Sequence, residues 1–328
     1  MPNPRGAIAA RWLLPLGLSL VACGAPAEDE DASDGEPAVT VVSPVGLAAI
    51  WGAAPDDVWA AGKEGVIVHF DGVRWERVES PTTQGLHGMH GSGPDDIFAV
   101  GEDVVLHYDG SAWTEVLRDM HEALLGVYAG GPAGMWAVGT ATDVGGAILR
   151  RLDDSGWDVL WTSAIRSLWD IWASGPEDIW AAGTAIDGRG FVTHGDGAVF
   201  DPIATTGGAY RSIWGSAPDH VRVLPYDGSV QQWDGAEWRE EERPAGPRFM
   251  TLAGTAPDDV WALGLEGATM HHDGVTWTPS PNVTDAHLMD SWAFARDDVW
   301  AVGANGTILH YDGAEWRVVA EAEPAAPR

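Results

Sequence analysis

Five histidines recur at one kind of place in this chain: His69, His107, His194, His271 and His310 each stand two residues before an aspartate that is followed by glycine. Imidazole beside carboxylate is the material of metal ligation and of general acid–base chemistry. Their spacing argues against both. One histidine falls in each stretch of about 40 residues, which spreads the rings through the molecule instead of converging them on one ion. Each is therefore read as structural, its ring N–H given to an aspartate of a neighbouring turn. Paired acids such as Asp56 with Asp57 and Asp258 with Asp259 raise calcium as a second chemistry. No EF-hand or dense Asp-Gly loop accompanies them, so they read as turn caps. The sequence predicts neither a metal nor a cofactor, and it contains no nucleophile elbow, P-loop or zinc motif.

A third cluster is more specific. Arg166, Trp169, Tyr210, Arg211 and Arg248 gather around the starts of three successive repeats. Against 49 Asp and Glu the chain has only 18 Lys and Arg, and Lys63 is its single lysine. Three guanidinium groups with two aromatic rings in so acidic a chain point to a site for an acidic or carbohydrate-like ligand. Arg211 is the expected anchor, because its repeat position is held elsewhere by Ala48, His87, Leu125, Trp169, Met250 and Met289. The competing reading is that these residues pair with nearby acids and pack the rim. The formal charge of −31 repels phosphate backbones, which excludes nucleic acid as an expected partner.

These residues are carried by a repeat. A turn position recurs at Pro55, Pro94, Pro132, Pro176, Pro218, Pro257 and Arg296, with spacings of 39, 38, 44, 42, 39 and 39. Each unit reads as four short strands, A to D, exemplified by "LAAIWG", "VWAAG", "VIVHF" and a segment opening at Trp75. In "APDD", proline and the aspartates join A to B tightly. Asp-Gly, at Asp71, Asp109, Asp273 and Asp312, reads as a two-residue hairpin joining C to D. A four-stranded meander with two apolar faces cannot stand alone, and stacking such units radially buries both faces. The expected fold is all-β, a seven-bladed β-propeller over residues 38–320, with a short tail at 321–328.

Tryptophan usage fits that architecture. Of 19 tryptophans, six open strand D, five occupy the strand B position of Trp59, Trp136, Trp180, Trp261 and Trp300, and four the strand A position of Trp51. A ring repeated in every unit reads as core between blades, against the alternative of a sugar-stacking platform. Residues 38–47 parallel a strand D leading into a strand A. A strand from this end is thus expected to complete the last blade beside or in place of "WRVVA". The turns A–B and C–D are uniform, whereas D–A and B–C connections vary, so recognition is expected on the face carrying the latter.

Ahead of the repeats, Arg5 and Arg11 flank "WLLPLGLSLVA", an apolar stretch too short to span a bilayer. It ends in "LVAC", which resembles the bacterial lipobox. That resemblance implies a signal peptide over residues 1–22, cleavage before Cys23, lipidation of that cysteine, and, with Gly24 following, an outer-membrane destination in the cell envelope. Residues 24–37 carry six acids and no aromatic or branched aliphatic side chain, and read as a disordered tether in a lipidated linker spanning 23–37.

The unit "DVWAVGANGTILHYDGAEW" resembles repeats of the Asp-box (BNR) propellers, and more closely those of propellers related to photosystem II assembly factors. It keeps the Asp, one Gly and the Trp of the Asp-box. The resemblance implies a propeller over about residues 46 to 320. With the residue reading it gives a non-catalytic cell-envelope lipoprotein that binds a protein or glycan. An assembly or scaffolding factor is the alternative, and a glycoside hydrolase or lyase of Asp-box type a further one.

Overall fold

The computed structural model describes residues 45–130, 134–141, 145–152, 156–162, 165–203, 205 and 207–321. The signal peptide, Cys23 and the tether lie outside the described residues, as does the chain from 322 onward. The fold is a β-propeller built of six antiparallel sheets.

The first sheet runs β1 (Leu47–Ala54), β2 (Asp57–Gly62), β3 (Ile67–Phe70) and β4 (Trp75–Val78). The second has six strands: β5 (Leu86–Gly93), β6 (Asp96–Tyr108), β7 (Trp113–Ala129), β8 (Met135–Ala141), β9 (Gly145–Leu152) and β10 (Gly156–Thr162). Three four-stranded sheets follow, β11 (Ile165–Gly175) to β14 (Phe200–Ile203), β15 (Tyr210–Ala217) to β18 (Trp238–Glu241), and β19 (Phe249–Ala256) to β22 (Trp277–Pro279). The last comprises β23 (Leu288–Ala295), β24 (Asp298–Gly303), β25 (Ile308–Tyr311) and β26 (Trp316–Ala320).

Six sheets thus stand where seven separate blades were predicted. The difference arises in the second and third units. Strand β6 runs without a break through the predicted strands B and C, with Asp103 in the left-handed region at φ 58°. Strand β7 runs from the predicted strand D of one unit into strand A of the next, pairing with both β6 and β8. Repeat number and sheet number therefore differ, because a D–A connection that stays extended keeps its hydrogen-bonding partners instead of releasing them.

Packing between sheets explains the tryptophans. Trp59 meets Trp113 of the next sheet edge-on at 5.7 Å, and Trp261 meets Trp316 at 5.2 Å. Trp300 of the last sheet meets Trp75 of the first at 5.6 Å, so the same contact closes the ring. The strand B rings Trp59, Trp136, Trp180, Trp261 and Trp300 are all buried. On strand A, Trp51 lies against Gly91 and Trp172 against Gly215 of the following sheet. A Cβ at these glycines would come within 2.6 Å and 2.7 Å of the indole carbons. This accounts for glycine after the aromatic in "IWG".

The recurrent histidines each meet the second acid of the A–B turn. Nε2 lies 2.7 Å from Asp57 Oδ1 for His69, and 2.8, 2.6, 2.8 and 2.8 Å from Asp96, Asp178, Asp259 and Asp298 for His107, His194, His271 and His310. Trp59, Trp180 and Trp300 donate Nε1–H to the same carboxylates at 2.8, 3.0 and 3.0 Å. The imidazoles also stack on these indoles, at 4.0 Å for Trp59 and His69. One carboxylate thereby ties strands B and C together in five units.

Two turn readings need correction. The C–D connection is a four-residue loop, not a two-residue hairpin: Phe70 pairs with Trp75, and Asp71 Oδ1 accepts the N–H groups of Val73 and Arg74 at 2.9 Å each. Asp109, Asp273 and Asp312 do the same, and only the glycine takes positive φ, 88° at Gly72. These backbone donors hold the Asp71, Asp109, Asp273 and Asp312 carboxyls below the usual range, helped at Asp109 by the Ser111 hydroxyl, its largest cause. The B–C connection, expected to vary, is uniform in three units, where Lys63–Gly65, Leu265–Gly267 and Ala304–Gly306 form equivalent single turns. In the last sheet the fourth strand is β26, "WRVVA"; residues 38–44, the candidate closing strand, lie outside the described residues.

Candidate functional site

The first segments of the repeats surround a central channel of about 1100 Å³, lined from β1, β5, the second half of β7, β11, β15, β19 and β23. Each contributes equivalent positions, so the channel is layered along the strand direction.

At the mouth nearest the D–A and B–C connections stand His87, Trp169, Arg211, Met250 and Met289, with Lys63 and Glu64 at the edge. Arg211 lies over the Trp169 ring, 4.6 Å from its centroid, and Tyr226 meets Trp169 edge-on at 6.2 Å. Arg211 makes no salt bridge among the described residues, whereas Arg74, Arg189, Arg222, Arg239, Arg296 and Arg317 all do. In a chain with so many acids, a guanidinium over an indole with no ion pair among the described residues is preset to take an anionic or carbonyl oxygen. Burial holds the His87 imidazole below its ordinary pKa, with Glu102 opposing and the Arg211 charge adding to the depression.

One residue deeper, the strand A position reads Ala49, Gly88, Gly126, Asp170, Ser212, Thr251 and Asp290. Here the sheets are bonded to one another. Asp170 Oδ2 accepts Ile213 N–H and the Ser212 hydroxyl, both at 2.9 Å. Ser212 Oγ accepts Leu252 N–H at 3.3 Å, Thr251 Oγ1 lies 3.2 Å from Ser291 Oγ, and Asp290 Oδ2 accepts Ile50 N–H at 2.9 Å. The last of these crosses from the final sheet to the first. Both carboxylates are only half-buried by area, and their remaining exposure faces the channel. Enclosure by the walls nevertheless raises both, Asp290 to about 7, with the Asp170 charge adding to burial and the Ile50 N–H opposing it.

Two residues further on comes an aromatic layer: Trp51, His90, Tyr128, Trp172, Trp214 and Trp292. Trp51 lies 6.1 Å from both His90 and Trp292, and His90 lies 4.8 Å from Tyr128. His90 Nδ1 accepts Ala129 N–H at 3.2 Å, and burial lowers its pKa to about 4.

The predicted cluster is therefore only partly assembled. Trp169 and Arg211 come together on the channel wall. Tyr210 does not line the channel: it is buried, the strand shifts register between Tyr210 and Ser212, and its hydroxyl donates to Gln231 Oε1 at 2.8 Å. Arg166 and Arg248 are exposed and do not line the channel. Sequence reasoning missed Asp170 and Asp290, whose signal was available as acids at a strand position otherwise small or hydroxylated. It also missed Arg222, which replaces the strand B tryptophan. Its Nε donates to Glu241 Oε1 at 2.9 Å in a nearly inaccessible interface, while Glu241 Oε2 accepts Trp277 Nε1–H at 2.8 Å. Among the described residues no three His, Cys, Asp or Glu side chains are grouped to hold a metal ion.

Solved structures resemble this chain along most of its length. YCF48 bound to a D1 peptide is 21% identical with a TM-score of 0.68, covering 85% of this chain and 98% of that one. YCF48 from Cyanidioschyzon merolae is 18% identical with a TM-score of 0.68 over 84% and 98%. The WD40 β-propeller domain of Doa1 is 9% identical with a TM-score of 0.66 over 84% and 95%. The chain is a propeller. No family model and no curated relative matches it.

Proposed function

We propose that this chain is a non-catalytic cell-envelope lipoprotein whose propeller binds a protein partner across the channel mouth bearing Arg211 and Trp169. The observation that carries this reading is the Arg211 guanidinium over the Trp169 ring, with no ion pair among the described residues, at the edge of a large concave cavity. The similarity to a propeller bound to a D1 peptide supports a protein ligand over a glycan. On this reading the "LVAC" segment supplies the anchor at Cys23 and the acidic residues that follow supply the tether. An envelope assembly role is the same surface put to a different use. A glycoside hydrolase or lyase is the weaker alternative, because a solved structure that resembles the chain is bound to a peptide.

The test is capture from detergent-solubilised envelope with the full chain and with Arg211→Ala. Loss of a charge-assisted hydrogen bond weakens the partner by about 1.5–3 kcal/mol. Equal capture by both proteins at the same salt would overturn the assignment of the site.

A further inference from the structure

Asp170 and Asp290 are more highly charged than their structural task requires. Each bridges from the third position of one strand A to the N–H at the fourth position of the next, and Ser212 makes the identical bridge to Leu252 with a neutral hydroxyl. At the equivalent places Ala49, Gly88 and Gly126 supply no side-chain oxygen at all. Neither carboxylate forms an ion pair among the described residues. Arg211 acts electrostatically on Asp170 but is stacked on Trp169 instead of being drawn onto it. Two acidic groups are thus held in a cavity whose next layer presents the rings of Tyr128, Trp172, Trp214 and Trp292. Carboxylates beside aromatic faces form an environment that favours an organic cation and disfavours an anion.

We propose that the channel contains a subsite for an alkylammonium group, filled by a lysine side chain of the protein partner. The Asp170 and Asp290 carboxylates are its counter-charges, and the aromatic layer beyond them faces the ammonium head. The methionines Met250 and Met289 at the mouth give an unbranched, adaptable entry for the alkyl stem. The inference rests on the channel being the partner-binding surface, and it adds the chemistry of the residue that enters.

The experiment titrates the full chain with n-butylammonium chloride, and in parallel with n-butanol and with sodium chloride at matched ionic strength. Tryptophan fluorescence and melting temperature are the readouts. The expected result is a saturable response to n-butylammonium that n-butanol and sodium chloride do not reproduce. Asp170→Ser and Asp290→Ser copy the Ser212 bridge, and each should weaken n-butylammonium at least tenfold. Equal binding of amine and alcohol, no saturable response to the amine, or serine variants that bind as wild type would each overturn the subsite. If a serine variant fails to fold, the wild-type comparison of amine with alcohol still decides. Capture of a protein partner unaffected by both serine substitutions would refute the lysine subsite while leaving the binding surface in place, whereas amine binding without any captured protein would refute the surface.

Discussion

The inner ring makes opposite electrostatic demands at Asp290 and His90, and removing one should unmask the other. Asp290 is raised from 3.8 to about 7 in the folded protein, so folding holds its proton more tightly than the unfolded chain does. Its stabilising contribution is complete below pH 3.8 and is lost as pH rises through 7, amounting to about 4 kcal/mol across that window. His90 is lowered from 6.5 to about 4, so its contribution is complete above pH 6.5 and is lost as pH falls through 4, amounting to about 3 kcal/mol. Between pH 4 and 6.5 the two slopes oppose and largely cancel. Asp290→Ser keeps an acceptor for Ile50 and removes the titration. Relative to wild type, this variant should gain stability progressively from pH 4 to 7. His90→Asn keeps an acceptor for Ala129, and relative to wild type it should gain stability as pH falls from 6.5 to 4. The assay is urea unfolding monitored by tryptophan fluorescence at half-unit pH steps, read as the difference between variant and wild type. Because each difference cancels the turn aspartates common to both proteins, a flat difference for Asp290→Ser would refute the buried-carboxylate account.

Other outcomes follow from the packing. Asp298→Ala leaves the Trp300 indole and His310 imidazole without their shared acceptor, and should destabilise by about 2–4 kcal/mol in chemical denaturation. Arg222→Ala strands Glu241 in a dry interface, costing about 3–5 kcal/mol, more than removal of any exposed ion pair such as Arg239 with Glu237. Glu266→Gly relieves a left-handed side-chain position at φ 57° and should stabilise by about 1 kcal/mol in the same measurement. Cys23→Ala should abolish incorporation of labelled fatty acid and release the protein from membranes; unchanged membrane partition would remove the anchor from the account.

Much of the scaffold was legible because each repeated residue has one dominant physical role. Asp-Gly before tryptophan, proline before paired aspartates, and histidine two residues before aspartate each mark a short-range structure, and short-range structure is written locally. The merged sheet was not legible, because whether β7 pairs on through residues 119–123 depends on partners in β6 and β8 that no local signal names. The site was half legible for a related reason. Arg211 departs from its repeat position and so stands out by comparison between units. Tyr210 looked equivalent by adjacency, but the strand shifts register between Tyr210 and Ser212 and the tyrosine is buried against Gln231 instead. Asp170 and Asp290 depart from a repeat position otherwise small or hydroxylated, but the N–H groups they accept lie on neighbouring sheets that no local signal names.

The claim that the partner sits on the channel mouth is tested most directly by site-specific photocrosslinking in cells. A photoreactive phenylalanine analogue placed at Met250, on the channel wall, should crosslink to the partner, and the same group at the exposed Val73 or Val275 of the C–D turns should not. Crosslinks from Val73 or Val275 with none from Met250 would put the partner on the opposite face and contradict the account.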